Sequence, residues 1–476
     1  MTQSGQHAID SRLRILVVVH GFPPDTWAGT EVYALELATA LARRGHTLTI
    51  VARTPARDSE AEWNVARGTF RDLPVLRVAR RIDNLGVRDT YLPAGAREVF
   101  ERILDEERPD VVHVQHLLHL SVAWLDVLRE RGIPSVITYN DYWVVCARVQ
   151  MQRTDGRSCA SNRGHGCIVC ITGHRPALIP AAQRVLPLFE PVVRRLLGRM
   201  GRRRRLGRMV RNWIDTMDRH SEILERCGRA DLGIAPSRFL RAKLLDSGYF
   251  DPARLEHSIY GMRVPSSIPA KNPRPAGVAL RVGFIGSILT YKGVEVLVRA
   301  MQLLRERPIE LVIHGDHRPR EDEFHARVTE IALATRTHFA GRFDNARISE
   351  IHADLDVLVV PSTWYENSPL TIHEAFLHGT PVVTSDYGGM RENVRHEVDG
   401  LHFRVGDERS LADALDRLAR DHELLTRLAR GVPAVKSIEV DAVETEARYR
   451  KLLAARAASP DRQGPRSPSD RGASTP

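Results

Sequence analysis

Twice along the chain an unbroken apolar run is followed by a stretch with helical spacing and then by a second apolar run. The first case is RILVVVHGF, GTEVYALELATALARRG and HTLTIVA, all within the first 52 residues, with Gly45 placed to cap the helix. PDVVHVQH (109–116) and PSVITYN (134–140) continue the series. The second case starts after a proline-rich stretch, VPSSIPAKNPRPAG (264–277), which reads as a linker. There LRVGFIGSI, IELVIHG, DVLVVPS and TPVVTSD are strands with helices among them, one helix ending at HEAFLHG. Continuous apolar runs are what parallel strands need when helices cover both faces of their sheet. Two such series predict an α/β chain of two Rossmann-like doubly wound domains facing each other. No repeat of solenoid period is present.

The expected division is residues 1–265 for a first domain, with an insertion at about 146–212, and 266–440 for a second domain. A helix over 441–456 is expected to pack back on the first domain. The tail 457–476, rich in Pro, Ser and Gly, is expected to be disordered. Ligands of doubly wound folds bind at the carboxyl ends of the strands, here in the cleft between domains.

Hydrophobic residues make up 43% of the chain and charged residues 27%, and no run of 18 apolar residues occurs, so a soluble chain without a membrane span is expected. The first residues lack the apolar core of a signal peptide, which points to the cytoplasm, on the inner face of the membrane if it is peripheral there. The net charge is +10, and Arg194 to Arg211 holds a block of arginines with no acidic residue. Such a block attracts phosphate on lipid, nucleic acid or substrate; the plain alternative is a solvated helical face.

The segment WYENSPLTIHEAF (364–376) carries two carboxylates, Glu366 and Glu374, amid apolar residues at the carboxyl end of DVLVVPS. Ser368 suits an N-cap and Pro369 a first helical residue, so a helix is expected from Pro369 to about His378. Its amide groups offer an anion site, and a carboxylate nearby suits a ribose diol. Two glutamates at this spacing are weak evidence alone: one surface and one capping glutamate would look the same.

With its surroundings the segment says more. The region 281–406 resembles the retaining glycosyltransferases of the GT-B fold, family 4 (group 1), through GFIGSILTYKGVEVLVRA, PSTWYENSPLTIHEAFLHGTPVVTSDYGGMRENV and DGLHFRVGD. GFPPDTWAGTEVYALELATALARRGH, DVVHVQH and ADLGIAPSRFLRAKL are similar to the family's first domain. The resemblance implies a nucleotide-diphosphate-sugar donor and a glycan or lipid-linked acceptor, with retention of anomeric configuration. It assigns Glu374 to the ribose hydroxyls and Glu366 to the donor sugar and its phosphate. Asn367, Ser368, Pro369 and Leu370 would shape the phosphate turn, Lys292 would neutralise the diphosphate, and Gly29 would let backbone approach it. His116 is the candidate for the histidine near the transferred sugar, with His113 and Gln115 competing for that motif. Ser287 stands where many relatives carry an arginine, and Asn140-Asp141 where they often carry His-Asp.

No metal ion is needed for this chemistry, since a lysine and a helix start can meet the charge of the leaving diphosphate. A D-x-D does exist, Asp354-Leu-Asp356, but at the amino end of its strand, away from the cleft. Cys146, Cys159, Cys167 and Cys170 are four of the five cysteines, the last two at ligand-pair spacing. They are candidates for a structural zinc, with His165 as a substitute ligand, or for redox chemistry or unlinked thiols. Cys227 reads as packing. The other function classes are a nucleotide-sugar epimerase of the same fold, a zinc-containing nucleic-acid-binding protein, and an inactive scaffold. Few aromatics interleave the arginines, which makes nucleic acid the weaker partner.

Overall fold

The structure, a computed structural model, describes residues 12–458 apart from 58, 84, 160–165, 173–175, 200–207, 272–273, 276 and 318–320. It gives the backbone alone of 172, 176, 193–194, 196–199 and 208–209. The tail 459–476 and His165 therefore lie outside the described residues, and so does most of the arginine block.

Two sheets organise the chain. The first has eight strands: β1 (Arg14–Val19), β2 (Thr47–Pro55), β3 (Val65–Phe70), β4 (Leu73–Arg80), β5 (Val111–Val114), β6 (Ser135–Thr138), β7 (Leu232–Ala235) and β8 (Leu255–His257). Their order is β3-β4-β2-β1-β5-β6-β7-β8, parallel except for the β3–β4 hairpin. The second has six parallel strands: β9 (Leu280–Ile285), β10 (Ile309–His314), β11 (Thr337–Gly341), β12 (Val357–Val360), β13 (Val382–Ser385) and β14 (Gly400–Phe403). Their order is β11-β10-β9-β12-β13-β14. The central strands are buried at almost every residue, as continuous apolar runs require. Helices cover both faces of each sheet, so the two facing doubly wound domains are present.

In each sheet the chain reverses its direction of growth once. The switch lies between β1 and β5 in the first sheet and between β9 and β12 in the second. At such a point the two crossovers leave on opposite faces, and a crevice opens at the strands' carboxyl ends.

The last helix, Ile438–Ala457, belongs to the second half of the sequence but packs on the first domain. Asp441 accepts from Tyr33 Oη and from the Gly261 amide, both at 2.9 Å. Glu446 holds Arg44 at 2.6 Å. Around it the chain passes between domains side by side: Met262 and Lys436 are joined by one backbone hydrogen bond, Ile438 and Met262 by another, each 2.8 Å.

Candidate active site

The second switch point is built by the ends of β9 and β12. After β9 a short 3-10 turn, Thr290–Lys292, is closed by Gly293 in the left-handed region (φ 73°). A Cβ on Gly293 would lie 1.9 Å from the Pro361 carbonyl oxygen, so only glycine lets this turn approach the end of β12. Lys292 Nζ is thereby delivered 2.7 Å from Glu366 Oε1. The same oxygen accepts from Ser362 Oγ at 2.8 Å and Trp364 Nε1 at 2.9 Å, and the lysine also lies over the Trp364 ring, 5.7 Å from its centroid. One buried carboxylate oxygen thus has three donors, which fixes its rotamer. Gly389 completes the support: its amide donates to the Glu366 carbonyl at 2.8 Å, and a Cβ there would lie 1.6 Å from the Asn367 carbonyl oxygen.

The helix after Glu366 is Leu370–Leu377, one residue shorter at each end than expected. Pro369 has extended backbone (ψ 121°) and is itself the N-cap, and Ser368 does not cap. Its hydroxyl is taken by His373 Nε2 at 2.8 Å and Asn393 Oδ1 at 3.4 Å, a competing use that moves the helix start on. Glu374 lies in the middle of this helix, with no hydrogen bond to its carboxylate from any described side chain. Burial pushes its pKa up to about 7. Asn367 turns across the cleft instead: Nδ2 donates to the carbonyls of Tyr139 and Asn140, both at 3.1 Å, and Ser237 Oγ lies 2.5 Å from Oδ1. Ser287 is exposed in the loop after β9.

The first switch point faces this one. His20 follows β1 and His116 follows β5, and their rings lie 4.2 Å apart. His116 Nδ1 accepts from the Leu118 amide at 3.1 Å, which leaves its proton on Nε2, 3.1 Å from Asp141 Oδ2. Asp141 is positioned in turn by the Trp143 amide, 2.8 Å from Oδ1. His113 points elsewhere: Tyr449 Oη (2.6 Å) and Thr138 Oγ1 (2.8 Å) hold its ring inside the core, and burial lowers its pKa to about 3. Gln115 joins that buried network through a 3.2 Å contact with His113. Asn140 is also structural, bonded to Gln115 and to Tyr260 Oη at 2.8 Å. Of the three candidates His116 alone has a carboxylate at its ring.

The two halves touch. Gly29 opens the helix Gly29–Arg43, and a Cβ there would sit 3.7 Å from Leu370 Cδ1, so two helix starts face each other across the cleft. Tyr142, next to Asp141, donates to the Glu366 carbonyl at 3.4 Å. Phe239 packs against Tyr365 with the rings tilted by 31° and their centroids 4.8 Å apart. Glu31, in the first turn after Gly29, is buried 3.6 Å from His20, and Glu31 Oε2 and His20 Nδ1 have no hydrogen-bond partner among the described residues. Burial raises the Glu31 pKa and lowers that of His20. Buried polar atoms left unpaired at a cleft are positions a ligand hydroxyl satisfies.

Sequence reading flagged the Asn140-Asp141 position but not that Asp141 pairs with His116; it missed Glu31 and His20 as members of the site, and Ser362 and Trp364 as the donors to Glu366. The signal that was available is positional: each follows the carboxyl end of a strand or opens the helix after it.

Two expectations are corrected or left aside. Among the described residues no group of three or more His, Cys, Asp or Glu is placed to hold a metal ion, so the zinc reading of Cys146, Cys159, Cys167 and Cys170 is not supported. None of the four is in a disulfide among the described residues; burial raises the pKa of Cys146 and Cys170 and pushes Cys167 up to about 12, which favours the thiol over the thiolate. Asp356 of the D-x-D is spent on Arg281, whose Nη2 and backbone amide lie 2.7 and 2.8 Å from its two oxygens.

Two family models match the chain, Glycosyltransferase Family 4 over residues 27–257 and Glycosyl transferases group 1 over residues 279–421. A D-inositol 3-phosphate glycosyltransferase of Stackebrandtia nassauensis is 34% identical over 163 residues, 32% of this chain and 37% of that protein. The chain spans about a third of the length of the curated relatives first matched. Among solved structures, sucrose-phosphate synthase from Thermosynechococcus elongatus superposes with a TM-score of 0.64 at 20% identity, covering 93% of this chain and all of that one. Anabaena HepE in complex with UDP gives 0.57 at 17% identity, over 94% and 100%. These likenesses show the fold.

Proposed function

This chain belongs to the group 1, family 4 glycosyltransferases of the GT-B fold, and we propose that it moves a sugar from a nucleotide-diphosphate sugar to a glycan or lipid-linked acceptor with retention of configuration. The observation that carries this is the pairing of Lys292 with Glu366 at one switch point, opposite His116 with Asp141 at the other.

The bond that breaks joins the anomeric carbon to the β-phosphate oxygen. Positive charge grows on the sugar and negative charge on the departing diphosphate. Lys292, once turned from Glu366 to the phosphate, and the amides at the start of helix Leu370–Leu377 meet that negative charge. Glu374 takes the ribose diol and Glu366 orients Lys292 beside the sugar. His116, held by the Leu118 amide at Nδ1 and by Asp141 at Nε2, lines the sugar subsite, and a sugar hydroxyl meets Nε2 by displacing Asp141 from it. The acceptor hydroxyl attacks the face the phosphate leaves, and its proton passes to the phosphate oxygen. No step needs a metal ion.

The test is a panel of nucleotide sugars scored by thermal stabilisation, with UDP sugars first because a structural relative is described with UDP. The best compound raises Tm in the native chain and not in Glu374→Ala, and supports transfer to an acceptor. Stabilisation by none of the panel rejects the reading. Interconversion of the free nucleotide sugar without an acceptor assigns the site to an epimerase instead. If the protein works at the inner face of the membrane it does so peripherally, since no described helix is long and apolar enough to cross one.

A further inference from the structure

The helix Ile179–Arg199 leaves an apolar stripe open to solvent. Its first residue, Ile179, is buried, but Val185, Leu188, Phe189 and Val192 are 47, 73, 55 and 57% exposed. Their spacing is i, i+3, i+4, i+7, one face of a helix, and Leu178, 49% exposed, extends it two turns back. Single exposed apolar residues are ordinary on a protein surface; a contiguous stripe marks something that covers it.

The charge beside the stripe says what does. Arg184 and Arg195 are exposed on the same helix, whose only acidic residue is Glu190. From Arg194 to Arg211 the sequence holds nine arginines and no acid, though most of that block lies outside the described residues. A second copy of the chain brings like charges together over the stripe. A nucleic acid meets the arginines but gives leucine and valine side chains nothing to bury in. An anionic bilayer meets both, with phosphate headgroups for the guanidinium groups and the acyl boundary for the apolar face. The surface is also coupled to the site: the inserted segment leaves it after Trp143 and is tied back where Arg219 donates to the Trp143 carbonyl.

We propose that the apolar face of helix Ile179–Arg199 lies in the headgroup region of an anionic bilayer. It rests on the transferase reading only for its purpose, delivery of a lipid-linked acceptor beside His116 and Asp141. The test needs no sugar, so its failure leaves that reading standing.

Full-length protein is sedimented with vesicles of phosphatidylcholine alone or mixed with phosphatidylglycerol. The native chain partitions onto the anionic vesicles and at least about tenfold less onto the neutral ones. Leu188→Gln with Phe189→Gln lowers partitioning by about tenfold or more, the expected loss when two large apolar side chains no longer insert. Arg184→Gln with Arg195→Gln lowers it less, and more so at low salt. All four positions are exposed, so the variants keep the native melting curve. Equal partitioning of native and Leu188→Gln, Phe189→Gln protein overturns the proposal. So does a concentration-dependent dimer, or tight binding of a single-stranded RNA, that the same pair abolishes while vesicles stay unbound.

Discussion

Lys292 Nζ lies 2.7 Å from Glu366 Oε1, and those two side chains come from either side of the switch point between β9 and β12. In the ligand-free protein the cation is therefore already desolvated in part and aimed, with a carboxylate in place of the diphosphate. A donor has to compete for it, and Ser362 and Trp364 hold the carboxylate while the lysine swings to phosphate.

Lys292→Met removes the cation and leaves Glu366 to two neutral donors. Charge-assisted hydrogen bonds contribute about 1.5–3 kcal/mol, so kcat/KM falls by roughly 10- to 100-fold. Lys292→Arg recovers part of it. Steady-state kinetics with the best donor decide; full activity in the methionine variant removes Lys292 from the leaving-group role.

Glu374 gives a pH signature. Its folded pKa is raised to about 7, against about 4.3 unfolded, so the ligand-free fold loses stability as pH rises from about 4 to about 7. The two hydroxyls of a ribose diol donate best to the carboxylate form, so nucleotide affinity runs the other way and weakens as pH falls below 7, by up to about tenfold per unit. Calorimetric titrations at pH 6, 7 and 8 show this slope in the native chain and a flat profile in Glu374→Gln. A slope retained in the variant assigns the titration to another group.

His116→Asn keeps a donor near Asp141 but loses the ring. Loss of a positioned catalytic hydrogen bond costs about 10²–10³ in kcat, with donor binding by thermal shift unchanged. A fall in binding with kcat intact would move His116 to a purely structural role.

Asn367→Ala deletes two donors from the second domain to the carbonyls of Tyr139 and Asn140 in the first. The domains open further: the radius of gyration in small-angle scattering grows, and donor KM rises several-fold. Saturating donor restores the compact form. An unchanged radius shows that the remaining contacts, Phe239 with Tyr365 and Tyr142 with the Glu366 carbonyl among them, hold the cleft closed without Asn367.

Asp356→Asn separates the D-x-D reading from the structural one. Arg281 loses a buried partner, which costs about 3 kcal/mol of stability. Activity per folded molecule stays, and a chelator changes nothing in either protein. A chelator-sensitive native enzyme contradicts this.

The sequence made the central strands of both sheets legible because buried parallel strands write themselves as apolar runs, whereas the short or half-exposed β8 and β11 were not read as strands. The β3–β4 hairpin was not legible: β3, VARGTF, is mostly exposed and lacks such a run. Glu366, Glu374 and Lys292 were singled out through the family resemblance, and the structure puts Lys292 against Glu366 with Glu374 in the helix that follows. The partners of Asn367 were not, since Ser237, Tyr139 and Asn140 lie 130 to 228 residues away and no local period encodes them. The helix start at 370 was misplaced by one residue for a similar reason: the sequence shows a serine before proline, but not that His373 takes its hydroxyl.

The chain passes from one domain to the other beside its own return, with Met262 bonded to both Lys436 and Ile438. A single tether permits swivelling in any direction. A doubled one, stitched across its width, permits flexing about one line, as a door turns on its jamb. Opening to exchange substrates is thus constrained to a path along which Lys292 and His116 return to the same facing positions on every cycle.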